Sequence, residues 1–98
     1  MVNFALASIA FMAAGLPFSL AANCSPGIRY CGYNLLAKGD YLEQITEALN
    51  GANQPTDTEH VRQTFFVCTG GPGGEISLNK FCKQGCHDGG RGQNDWCN

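Results

Sequence analysis

The sequence predicts an α+β fold: a small, disulfide-rich single domain with one main helix packed on a short antiparallel sheet. Three observations lead there. The chain has 98 residues and six cysteines, Cys24, Cys31, Cys68, Cys82, Cys86 and Cys97. One segment after the N-terminus, Asp40 to Asn50, keeps an unbroken helical apolar period. One run, Thr64-Phe65-Phe66-Val67-Cys68, is continuously β-branched and aromatic, the composition of a strand.

The cysteines take their meaning from the N-terminus. Met1 to Ala21 carries no charged side chain, and Phe4 to Leu16 is almost wholly apolar before Pro17 and a small-residue segment. This organisation predicts a secretory signal peptide over residues 1–21, cleaved after Ala21, because the apolar run is too short to span a bilayer. Residues 22–98 then form the secreted domain, with all six cysteines in an oxidising space. A core this small is marginal, and three disulfides supply the missing stability. Six cysteines allow fifteen connectivities, among which spacing does not choose. Cys82, Cys86 and His87 mimic a metal cluster, but the other cysteines lack zinc-site pairing, so disulfides are expected and neither metal nor cofactor is.

In the helix, Tyr41, Leu42, Ile45, Ala48 and Leu49 share one face. Asp40 with Glu43 has capping-box spacing, and Asn50-Gly51 offers a left-handed stop. Ahead of it, Ile28 to Cys31 reads as a short strand and Gly32 to Gly39 as the approach to the helix. Behind it, Thr56 to Glu59 has a second capping-box spacing, opening a single turn through about Arg62. The Thr69 to Gly74 run is a hairpin-type loop leading into a strand over Glu75 to Leu78, and Asp88 to Asp95 is a polar, glycine-rich surface loop. The expected core is Leu42, Ile45, Leu49, Phe65, Val67, Ile76 and the half-cystines. Alternation then turns Phe66 to the other face, where it joins Tyr30 or Tyr33 in an exposed binding surface.

Six basic against eight acidic residues give a net charge of −2 with no polybasic run. Nucleic acid and anionic membrane surfaces are disfavoured as partners, and no stable membrane insertion is expected. A membrane-active toxin would need a basic amphipathic helix that the chain lacks.

Two resemblances add expectations. The Tyr-x-Cys-Gly opening, the Gly70 to Gly74 turn leading into a strand, and His87 in a glycine-rich segment closed by Cys97 resemble the small secreted guanyl-preferring ribonucleases of fungi. That likeness implies Glu59 or Glu75 as base with His87 and Tyr30 or Tyr33, although Glu75-Ile76 stands where those enzymes carry an arginine. His60 with Arg62 or Arg91 supplies the same residue types. A broader resemblance runs from Cys-Ser-Pro-Gly-Ile-Arg-Tyr-Cys-Gly-Tyr-Asn-Leu-Leu through Phe-Val-Cys-Thr-Gly-Gly-Pro-Gly-Gly-Glu-Ile to Phe-Cys-x-x-Gly-Cys and the closing Asp-x-Cys. It is to small secreted cysteine-rich proteins of filamentous ascomycete fungi, counted among candidate effectors. It brings no catalytic residues; with the signal peptide, the saturated disulfide count and the lack of a convincing catalytic set, the expectation is a non-enzymatic, effector-like monomer that binds a host or extracellular protein or a cell-wall target.

Overall fold

The structure, a computed structural model, describes residues 23–98; the signal-peptide expectation lies outside them. The order of elements is β1 (Arg29–Cys31), α1 (Gly32–Lys38), α2 (Leu42–Gly51), α3 (Thr58–Gln63), β2 (Thr64–Gly70), β3 (Glu75–Phe81), β4 (Cys86–His87) and β5 (Trp96–Cys97). β2 lies between β1 and β3 in an antiparallel sheet, and β4 pairs with β5 in a separate two-stranded ribbon. This is the mixed, disulfide-rich α+β domain that the pattern predicts.

The main helix forms where its period places it, but its ends differ. Asp40 is exposed and caps nothing; Tyr41 occupies the N-cap with no side-chain cap bond. Its ring is buried, its hydroxyl accepting from the Cys24 N–H at 3.0 Å and donating to the Gly74 carbonyl at 2.8 Å. A buried tyrosine bonded to two other segments fixes the chain direction more strongly than a solvated carboxylate. The helix runs through Gly51, and the left-handed residue is Asn53 at φ 58°, a conformation that asparagine tolerates. Leu42 is 51% exposed, because the buried stripe is Tyr41, Ile45 and Leu49, spaced by four.

α1 was not legible as a helix. It lacks a side-chain cap, and its aromatic and glycine content reads as strand or loop. Tertiary packing forms it: Leu35 is fully buried, and Gly32 lies so close to α3 that any Cβ there would collide with the Val61 carbonyl oxygen. α3 begins one residue later than its capping-box spacing suggests. Asp57, not Thr56, caps it, accepting from the His60 N–H at 2.8 Å. β3 also extends past Leu78 to Phe81, so the chain reaches Cys82 as strand and turns only at Lys83 and Gln84.

Successive residues of β2 feed two interiors. Phe66, fully buried, joins Cys24, Leu35, Tyr41, Ile45, Leu49, Val61 and Cys68 beneath α2, with Ile76 and Leu78 against them. Phe65 turns the other way and packs with Cys31, Cys82 and Cys86, flanked by Tyr33 and Cys97. The placement of Phe66 on an exposed face, with Phe65 toward the helix, is thereby corrected: Phe66 is the residue on the helix side, and the face that Phe65 occupies is covered as well. Val67, expected in the core, is only half-buried and joins neither cluster; it pairs with Arg29 and Ser77, beyond the half-cystines that cover Phe65.

All six cysteines are oxidised, as Cys24–Cys68, Cys31–Cys86 and Cys82–Cys97. The first two tie segments before α2 to segments after it, whereas the third closes the C-terminal part upon itself. Such bridging suits an oxidising compartment. Among the described residues, no helix is long and apolar enough to cross a membrane.

Candidate functional site

The loop 88–95 is glycine-rich, a composition that costs conformational entropy to order. Its order comes from short bonds at both ends. The β4–β5 ribbon sets Cys86 opposite Cys97 and His87 opposite Trp96, so the loop is the tip of a hairpin. Each half-cystine at its base is bridged to a different segment, Cys86 to Cys31 and Cys97 to Cys82. Within the loop, the Asp88 side chain accepts from the Gly90 N–H at 2.8 Å. Gly90-Arg91-Gly92-Gln93 closes a turn through Gln93 N–H to the Gly90 carbonyl at 3.1 Å, with Gly92 at φ 74° in the position where a type II turn needs positive φ.

Asp95 docks this hairpin on the rest of the fold. It is 3% exposed and accepts three hydrogen bonds, each 2.8 Å long: from Gly89 N–H, from Cys31 N–H and from the Asn34 side-chain amide. Backbone bonds continue the junction, with Asp95 N–H donating to the Arg29 carbonyl and Arg29 N–H donating to the Asn94 side chain. The outer edge of β1 is thus covered by residues 94 and 95.

Between α1 and this loop lies a cleft of about 390 Å³, lined chiefly by Tyr30, Asn34, Lys38, Asp88, Arg91 and Gln93. That volume is at the lower end of the range of small-molecule sites, about 300–1,000 Å³. The Tyr30 ring is half-buried, with the Lys38 ammonium 5.9 Å from its centroid, and its hydroxyl accepts from the Ser25 N–H. The Gly90 N–H and then the Asn34 amide hold the Asp88 carboxyl below the usual carboxylate range.

Of the three residues expected to form a binding surface, only Tyr30 lines the cleft. Tyr33 is on α1 too, but its ring lies under the Arg62 guanidinium at 5.6 Å and its hydroxyl donates to the Cys86 carbonyl. Burial first, then the Asp95 and Asp88 carboxylates, push that hydroxyl above the ordinary tyrosine range. Phe66 is in the core. Several residues of the ribonuclease constellation have local partners, whereas Glu59, Glu75 and Arg91 are exposed. His60 stacks on Phe81 at 4.0 Å and touches Asp57, His87 stacks on Trp96 at 4.4 Å, Arg62 covers Tyr33, and Arg91 faces the cleft. Sequence reading missed Asn34, Lys38 and Asp95 as site residues. The signal for Asp95 was faint: an aspartate directly before Trp96-Cys97 sits where a surface loop rejoins a bridged strand.

Comparison with protein-family models, with curated proteins and with solved structures yields no match to this chain.

Proposed function

We propose that this protein is a secreted, non-enzymatic binding protein that engages an extracellular or host target through the cleft between α1 and the loop 88–95. The observation that carries this reading is the anchoring of the cleft. A flexible glycine loop would forfeit much of its binding energy on ordering, but here Asp95 and two disulfides order it before any ligand arrives. Secretion is supported by three disulfides and by the signal-like N-terminus. The effector-like setting rests on the resemblance to secreted ascomycete proteins.

The test is affinity capture from extracellular and cell-wall fractions with the oxidised protein. The controls are reduced, alkylated protein and a double variant, Arg91→Ala with Gln93→Ala, which changes two exposed side chains of the cleft. A target retained by the native protein and lost with both controls is the expected result. Capture that survives the double variant overturns the placement of the site. Hydrolysis of RNA by the purified protein, lost on His87→Ala, overturns the non-enzymatic reading in favour of the ribonuclease one.

A further inference from the structure

The cleft's lining has spare hydrogen-bonding capacity of both kinds. Asn34 turns its amide N–H groups to Asp95 and Asp88 and keeps its side-chain oxygen; the Asp88 carboxylate, beside the Gly90 N–H and the Asn34 amide, keeps lone pairs to spare. Among the described residues, the side chains of Arg91, Gln93 and Lys38 make no hydrogen bond or ion pair. Donors and acceptors thus both line the cleft with the half-buried Tyr30 ring.

The formal charges oppose one another, Lys38 and Arg91 against Asp88 and Asp95. An anion entering the cleft meets carboxylates, and a cation meets the two bases. The apolar surface consists mainly of the Tyr30 ring and the Ala37 methyl group, too little to make the buried anchor pocket that a peptide hot spot needs. What fits is a ligand without net charge whose polar groups each donate and accept. Hydroxyl groups do both, and a sugar ring also has an apolar face for an aromatic side chain.

We infer that the cleft binds one or two units of an uncharged carbohydrate chain, a reading that rests on the binding function proposed above and gives its ligand class. Hydroxyls donate to Asp88 and to the Asn34 oxygen and accept from Arg91, Gln93 and Lys38. The ring lies along Tyr30, and the rest of the chain extends into solvent. A cleft of about 390 Å³ limits the bound portion to a short segment.

The test is an amide chemical-shift titration of the oxidised protein with neutral tetrasaccharides: β-1,3-linked glucose, β-1,4-linked glucose, β-1,4-linked N-acetylglucosamine and α-1,6-linked mannose. Tetragalacturonate serves as the anionic arm. At least one neutral tetramer is expected to give saturable shifts at Asn34, Lys38 and residues 88–93, at millimolar ligand. Gln93→Ala should weaken that binding about threefold to tenfold, the loss of one hydrogen bond. Trp96→Ala, on the β4–β5 ribbon outside the cleft lining, should leave it unchanged. Gln93 is exposed, so its variant should fold even where Tyr30→Ala does not. The inference is overturned if no neutral tetramer shifts these amides, if only tetragalacturonate binds, or if the shifts centre on His87 and Trp96. Should the sugars fail while a captured target still depends on Arg91 and Gln93, the ligand class falls and the binding reading stands.

Discussion

Phe65 and Phe66 are adjacent on β2, yet they enter interiors of different make. Phe66 meets Leu35, Ile45 and Leu49, long apolar side chains from two helices, the usual way a sheet face is covered. Phe65 meets half-cystines and one helical side chain, the tyrosine Tyr33 of α1. The segment that covers this second face, from Cys82 to Cys97, is rich in glycine and has little side-chain volume to give. Sulfur bridges take the place of bulk there. The difference teaches that a small domain can bury both faces of a sheet with enough apolar mass for only one.

The comparison breaks most visibly at the bridge. Replacing Cys31 and Cys86 together by alanine opens a connection 55 residues apart in sequence. Loop-closure entropy alone puts the cost at about 4 kcal/mol, a model-dependent figure. The expected result in denaturant unfolding is loss of the Phe65 side, with amide protection at residues 86–97 collapsing before that of α2. If both sides lose protection together, the two interiors are one cooperative unit and the contrast is only of composition.

On the other side, Phe66→Ala should cost about 3 to 4 kcal/mol, the lower part of the range for deleting a buried aromatic ring from a packed cluster. Leu42→Ala, on the same helix-backed side but half-exposed, should cost under about 0.5 kcal/mol. Chemical denaturation of the two variants checks the pair. A large loss at Leu42 would mean that the helix face is wider than its buried stripe.

Which parts of this contrast the sequence discloses follows from the physics of each. The helix-backed interior is legible in part: Ile45 and Leu49 repeat at helical spacing and the strand is marked by its β-branched and aromatic run, but the sequence reading puts Phe65 where the structure has Phe66. The second interior is not, because its members are cysteines scattered over 67 positions whose pairing no local rule specifies. A related blindness sent Phe66 to the surface: alternation shows that Phe65 and Phe66 part, but not that Phe66 is the one beneath α2 and Phe65 the one that the bridged loop covers. Helix α1 escaped because its formation depends on the close approach of Gly32 to Val61, a long-range fact. In the cleft, Tyr30 drew notice as an exposed aromatic. Asn34, Lys38 and the loop residues come together only when Asp95 docks the hairpin on β1.

Asp95 tests how that hairpin is attached. In Asp95→Asn, one of the oxygens facing Gly89, Cys31 and Asn34 becomes an amide nitrogen, setting donor against donor in a buried place. A loss of about 2 kcal/mol is expected, together with faster hydrogen exchange at Gly89 and Cys31. Fast exchange with unchanged global stability would show that the loop docks independently of the Phe65 interior.

The smallest effect concerns α3, which joins the two interiors. Val61 belongs to the helix-backed cluster, while Gln63 reaches the other side, its carbonyl accepting from Cys82 N–H and its side chain from Cys86 N–H at 2.7 Å. The helix starts at Asp57, whose carboxyl is held below its ordinary range first by the His60 backbone N–H and then by the His60 ring. A depressed carboxylate stabilises the fold fully above its unfolded pKa, and that contribution is lost as pH falls through the lowered folded value. Asp57→Ala should therefore unfold at a lower temperature than wild type at neutral pH and converge with it on the acid side. Asp57→Asn, still able to cap, should lie between them at neutral pH and show a flatter acid limb. Thermal unfolding followed from about pH 7 to pH 2 resolves the three curves. A gap between Asp57→Ala and wild type that stays constant with pH would mean that the cap does not depend on the carboxylate's charge. The link from α3 to both interiors would then rest on Val61 and Gln63 alone.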